Sequence, residues 1–173
     1  EFFQASNFVR DRILKDWDFM ETPQGFRDQY EKIGATHDAR VIDWSPGEPR
    51  YAALRTWLNK QLKAEGREAE QPLNVLDYGC AHGGYAINLL AELPDLRITG
   101  IDLDSHGIEM AYQFATNKNV APRWRGVVGG QDRLSDPTLP EMTEMYDAVI
   151  AQEVMEHVAD PASLLKALEA RVR

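Results

Sequence analysis

The stretch that most constrains the fold is Val75-Leu76-Asp77-Tyr78-Gly79-Cys80-Ala81-His82-Gly83-Gly84. The apolar run Leu73 to Leu76 reads as a buried strand, and it ends in an acidic residue and a glycine-rich turn. Tyr85 to Leu93 then reads as a helix. Strand, glycine turn and helix, in that order, receive a nucleotide-like ligand at the carboxyl edge of a parallel sheet. The small residues let the backbone come close to the ligand, and the helix start offers free N–H groups to an anion.

The remaining chain repeats that alternation. Arg97 to Asp102 reads as a second strand, and Asp104 or Ser105 caps a helix whose apolar positions Ile108, Ala111, Tyr112 and Ala115 follow helical spacing. Trp124 to Val128 gives a third strand ending at Gly129-Gly130, and residues 131 to 144, with Pro137 and Pro140, read as loop. Tyr146 to Ala151 is a fourth strand. Asp160 as N-cap and Pro161 at the first helical position begin a last helix with the stripe Leu164, Leu165, Leu168 and Val172. Strands alternating with helices imply a doubly wound α/β parallel sheet. The fourth strand would be left as an apolar edge, which argues for a piece of a longer protein whose C-terminal strands are missing. Glu1 at the start likewise reads as a cut or processed end.

Upstream, residues 1 to 63 read as an aromatic-rich helical cap. It contains a candidate helix from Phe8 to Phe19 and a second with the stripe Tyr51, Leu54, Leu58 and Leu62, launched by the turn cluster Ser45 to Pro49. These aromatics either cover one face of the sheet or form a lid over a substrate. Ala64 to Pro72 is charged and reads as a surface connection, so residues 64 to 173 stand as a ligand-binding half-domain.

The bulk numbers narrow the partners. The 173 residues suffice for one domain with a real core. A formal net charge of −9 argues against a nucleic-acid partner, and no apolar run is long enough to span a bilayer. A single cysteine, Cys80, fits a reducing cytoplasm.

The glycine turn alone fits two ligands. Gly79-x-Ala81-x-x-Gly84 reads as a variant dinucleotide fingerprint, with Asp102 placed to meet a ribose. Asp77, two residues ahead of the first glycine, separates the readings, because a carboxylate there would repel a pyrophosphate and attract a cationic ammonium and sulfonium. Here the sequence, from about residue 49 to 173, resembles the class I S-adenosylmethionine-dependent methyltransferases with their Rossmann-like fold. Their first motif, an acidic residue followed by G-x-G-x-G, stands as Asp77-Tyr78-Gly79-Cys80-Ala81-His82-Gly83, with Ala81 in place of the middle glycine. The resemblance implies that Asp102 holds both ribose hydroxyls, that Leu103 lies against the adenine, and that Asp132 is the nearest candidate for the adenine amino group. An exposed loop role for Asp132 is equally open.

The segment Tyr146 to Pro161, with Glu153-Val154-Met155-Glu156-His157-Val158-Ala159-Asp160-Pro161, resembles the ubiquinone-biosynthesis type of O-methyltransferase. That resemblance puts Gln152 against the cofactor and brings Arg50 toward the methionine carboxylate. Glu153, Glu156 and His157 are spaced i, i+3, i+4, so on one helical turn they share a face able to hold a divalent cation such as Mg²⁺. Without a cation, His157 is the candidate general base. His82 reads as a positional residue of the loop and Cys80 as packing. The expected function is methyl transfer, oxygen-directed by resemblance, onto a small molecule or a sugar or glycan. The rivals are a nicotinamide-dependent oxidoreductase, an RNA 2′-O-methyltransferase and a non-catalytic cofactor-binding scaffold.

Overall fold

A computed structural model describes residues 49–64 and 71–173. The aromatic leader before Pro49, including the candidate helix from Phe8 to Phe19, and most of the charged connection lie outside the described residues. The first described element is helix α1 (Pro49–Leu62), with Pro49 at its first position. Strand β1 (Leu73–Tyr78) follows, then α2 (Gly84–Glu92), β2 (Leu96–Asp102), α3 (Ser105–Asn117) and β3 (Trp124–Val128). Short helix α4 (Pro140–Thr143), strand β4 (Ala148–Ile150) and helix α5 (Pro161–Glu169) complete the order. Residues 131 to 144, read as loop, include a helical turn at Gln131–Ser135 as well as α4.

The four strands form one parallel sheet in the order β3-β2-β1-β4. Side chains alternate across it, as the strand repeat demands. Leu73 and Val75 of β1, Ile98 of β2 and Trp124 of β3 pack with Tyr51 and Leu58 of α1, Ile87 and Leu90 of α2, and Ile108 and Ala111 of α3. Leu76, Tyr78, Ile101 and Val127 face the other way, onto Leu134, Met142, Leu164 and Leu168. Helices therefore cover both faces, and the chain is doubly wound. No helix among the described residues is long and apolar enough to cross a membrane.

Helix α1 belongs to the first of these cores. Tyr51 is 1% exposed and its hydroxyl donates to Glu92 of α2 at 2.9 Å, while Arg55 donates to the same carboxylate at 2.8 Å. The Tyr51 ring also meets Tyr85 edge-on, 5.6 Å between centroids. Tyr51, Leu54, Leu58 and Leu62, one stripe in sequence, thus become one buried or half-buried seam.

Two expectations need correction. In α5 only Leu164 and Leu168 are buried, whereas Leu165 and Val172 are exposed. Leu165 lies one residue round from Leu164, on another side of the helix, and Val172 falls beyond its end. Strand β4 is three residues long, shorter than the Tyr146–Ala151 run, and Tyr146 stands before it in an isolated parallel bridge to Val172. It donates to Arg171 O at 2.8 Å and accepts from Arg173 N at 3.0 Å.

Candidate functional site

The carboxyl ends of β1, β2, β3 and β4 all point to one edge, because the strands are parallel. That edge gathers most of the residues singled out in the sequence. After Tyr78 the chain turns through Gly79, Ala81 and Gly83, all in the left-handed region at φ 78°, 47° and 72°. Glycine meets that demand without strain, and a side chain would also collide. A Cβ on Gly79 would lie 2.4 Å from Val154 Cγ2, and one on Gly83 would lie 2.8 Å from Ala111 Cβ. The φ of Ala81 explains why the motif prefers glycine at this middle position. The loop is fastened to β2, since Gly79 N and Cys80 N both donate to Ile101 O at 2.8 and 3.1 Å.

Asp102 has a role that sequence reasoning missed. Its carboxylate accepts from Ala81 N at 2.7 Å through one oxygen and from Asp104 N at 2.9 Å through the other. The side chain expected to meet a ribose thus also holds the glycine loop in shape. Each oxygen keeps a second lone pair, so acceptance from a diol is still available. Burial pushes the Asp102 carboxyl above the ordinary range, although the backbone donors from Asp104 and Ala81 work against the shift. Asp104, buried, caps α3 by accepting from His106 N at 3.0 Å, and His82 Nε2 lies 3.9 Å from its other oxygen. His82 and Asp104 thus lie side by side where the glycine loop meets the start of α3. Cys80 is buried and burial holds its thiol protonated, which fits packing and not nucleophilic chemistry.

Asp77 is 7% exposed at the end of β1. Burial, with the nearby Asp102 adding repulsion, pushes its carboxyl up to about 7. A buried carboxylate beside another carboxylate is a poor host for an anion and a favourable one for a cation. On the β3 side, Leu103 follows β2 and Gly130 N donates to Asp132 Oδ1 at 3.2 Å. Asp132 itself is exposed, and Arg133 Nε lies 3.8 Å from its other oxygen.

The β4 side departs from expectation. Asp77 pairs in register with Ile150, so Gln152 lies two residues past Asp77's level, half-buried at the same edge. Glu153 then adopts φ 53°, and the helical turn Met155–His157 begins only after it. The single turn that would align Glu153, Glu156 and His157 on one face is therefore not formed. Glu153 instead accepts from the Arg50 guanidinium, a partly exposed ion pair joining α1 to the loop after β4. Among the described residues no group of three His, Cys, Asp or Glu is gathered to hold a metal ion. Glu153, paired with Arg50 and preceding the turn that carries His157, does not share one face with that histidine. His157 is exposed at this edge.

Family and fold can be compared with known proteins. A family model described as a methyltransferase domain matches residues 48–173. A ubiquinone biosynthesis O-methyltransferase of Methylocella silvestris is 30% identical over 170 residues, covering 94% of this chain and 57% of its own length. One from Pseudomonas savastanoi is 28% identical over 111 residues, 64% of this chain and 42% of its own length. The chain thus spans about half the length of these relatives. A solved S-adenosylmethionine-dependent methyltransferase from Thiobacillus denitrificans, in complex with S-adenosyl-L-homocysteine, has the same fold at TM-score 0.54 and 20% identity. The match covers 74% of this chain and 46% of that one.

Proposed function

From the premise that this chain belongs to the methyltransferase-domain family, the class I S-adenosylmethionine-dependent methyltransferases, we propose that its sheet edge binds S-adenosylmethionine. In the whole protein it serves methyl transfer to a hydroxyl of a small molecule or sugar. The observation that carries the cofactor reading is the buried Asp77 carboxyl, 7% exposed and next to Asp102, immediately before the left-handed Gly79–Gly83 loop. A nicotinamide dinucleotide would bring its pyrophosphate toward that carboxyl, and the repulsion disfavours it. The hydroxyl acceptor is suggested by the O-methyltransferase relatives.

The roles follow from the chemistry of each group. Asp77 holds the cationic ammonium, Asp102 the ribose diol, and Leu103 and Asp132 the base, with Gln152 and the Arg50 guanidinium on the methionine side. S-adenosylmethionine supplies a methyl group made electrophilic by its sulfonium, so the protein's main task is to align an acceptor oxygen with it. His157 is the candidate base, taking the acceptor hydroxyl's proton on an imidazole nitrogen.

Calorimetry with S-adenosylhomocysteine on this chain tests the proposal, with NAD⁺ as the competing titrant. Binding of the first that is lost in Asp77→Asn and Asp102→Ala supports it. Binding of NAD⁺ alone, or of neither, overturns it.

A further inference from the structure

Tyr78 stands between the acid and the first glycine of the loop. Its ring points away from Asp77, because successive strand residues alternate faces. The ring joins the core with Leu76 of its own strand, Ile101 of β2 and Val127 of β3. Its hydroxyl comes out of that core at Gly130, beyond the end of β3. A Cβ placed on Gly130 would lie 3.1 Å from Leu103 Cδ2, 3.5 Å from Asp132 Oδ1 and 3.8 Å from Tyr78 Oη. Three groups carried on β1, the residue after β2 and the turn after β3 thus converge on one position that has no side chain.

The chemistry of those three groups is specific. Leu103 offers an apolar surface, Asp132 a carboxylate that only accepts, and Tyr78 a phenol that can donate. An acceptor beside a donor, against an apolar wall, complements a purine whose edge presents an amino group next to an unprotonated ring nitrogen. Adenine has that edge. Hypoxanthine reverses it, with a carbonyl oxygen beside a ring N–H.

We propose that Tyr78 is a further specificity-determining residue of the cofactor site, its hydroxyl donating to the ring nitrogen beside the amino group that Asp132 reads. The inference rests on the S-adenosylmethionine reading given above. Burial, with the Asp132 and Asp102 charges adding to it, pushes the phenol up to about 12, so it remains a donor across the physiological range. The glycine at position 130 is part of the same device, since any side chain there would fill the space between the three groups.

The test compares S-adenosylhomocysteine with S-inosylhomocysteine on this chain, Tyr78→Phe and Tyr78→Phe/Asp132→Asn, by calorimetry. The phenylalanine keeps the ring in the core, and the melting temperature of each variant reports whether the fold is intact. The unsubstituted chain prefers the adenosyl ligand. In Tyr78→Phe that preference falls about tenfold, the value of one hydrogen bond within a polar pair. The double variant loses less than the sum of two independent changes, because both groups read one edge. An unchanged preference in Tyr78→Phe, or equal affinity for the two ligands in the unsubstituted chain, overturns the role of Tyr78. Failure of the unsubstituted chain to bind either ligand overturns the cofactor reading beneath it.

Discussion

The Asp102 carboxylate accepts from the backbone N–H of Ala81 at 2.7 Å, tying the end of β2 to the middle of the glycine loop after β1. The same side chain accepts from Asp104 N at 2.9 Å. Replacing it with alanine leaves two N–H groups to find other partners. Asp102→Ala should therefore destabilise the chain by about 2–4 kcal/mol as well as abolish S-adenosylhomocysteine binding. Asp102→Asn keeps one acceptor oxygen and should recover part of the stability but little of the affinity. Urea denaturation and calorimetry on both variants separate the two roles.

Asp77 predicts a pH dependence. Its carboxyl is pushed from 3.8 to about 7, first by burial and then by Asp102. A folded value above the unfolded one means that the folded chain keeps a proton which the unfolded chain releases near pH 4. The stability linked to that proton is full below pH 4, falls as pH rises toward 7, and is level beyond. The loss is on the order of 4 kcal/mol. Asp102, also raised by burial, acts with the same sign. Denaturation at pH 5 and pH 8 should show the unliganded chain weaker at pH 8, with Asp77→Asn stronger there and less pH-dependent. Affinity for S-adenosylhomocysteine should move the other way, rising as Asp77 ionises. Equal stability at both pH values would contradict the burial of Asp77.

Gly79 predicts a local collision. Its φ of 78°, together with the 2.4 Å between Val154 Cγ2 and the place a Cβ would take, leaves no room for alanine. Gly79→Ala should cost about 1–3 kcal/mol and abolish cofactor binding. Pairing it with Val154→Ala should return part of the stability, since that removes the colliding methyl, while the left-handed strain persists. Melting curves of the single and double variants check this.

The Arg50–Glu153 ion pair predicts a small effect. The side chains are 49% and 68% exposed, so solvent screens the attraction. Arg50→Ala should change stability by less than about 1 kcal/mol at low salt and by nothing measurable at high salt. With Glu153 held by Arg50 and outside the turn of His157, millimolar Mg²⁺ should raise Tm no more than a salt of matched ionic strength. A saturable, Glu153-dependent rise would show that the loop rearranges to take a cation.

The limits of sequence reading show in particular residues. Local patterns carry the strands and helices, because a run such as Leu73 to Leu76 or the stripe Tyr51, Leu54, Leu58 and Leu62 has one economical way to bury itself. They fail where position depends on a distant partner. The spacing of Glu153, Glu156 and His157 assumes a continuous helix, and a residue at φ 53° breaks that assumption without any glycine or proline to announce it. The parallel bridge of Tyr146 to Val172 is hidden from local pattern because its partner lies far along the chain.

The sequence by itself determined the alternation of strands and helices, the parallel sheet and the carboxyl edge where the proposed cofactor site lies. Those follow from periodicity and from glycines that few other structures need. Tertiary structure alone decided the environments on which chemistry depends. The burial of Asp77, the second role of Asp102, the capture of Glu153 by Arg50 and the convergence of Tyr78, Leu103 and Asp132 at Gly130 join residues from separate elements. Charge, hydrogen bonding and dielectric are set by neighbours in space, and only the folded chain brings those neighbours together.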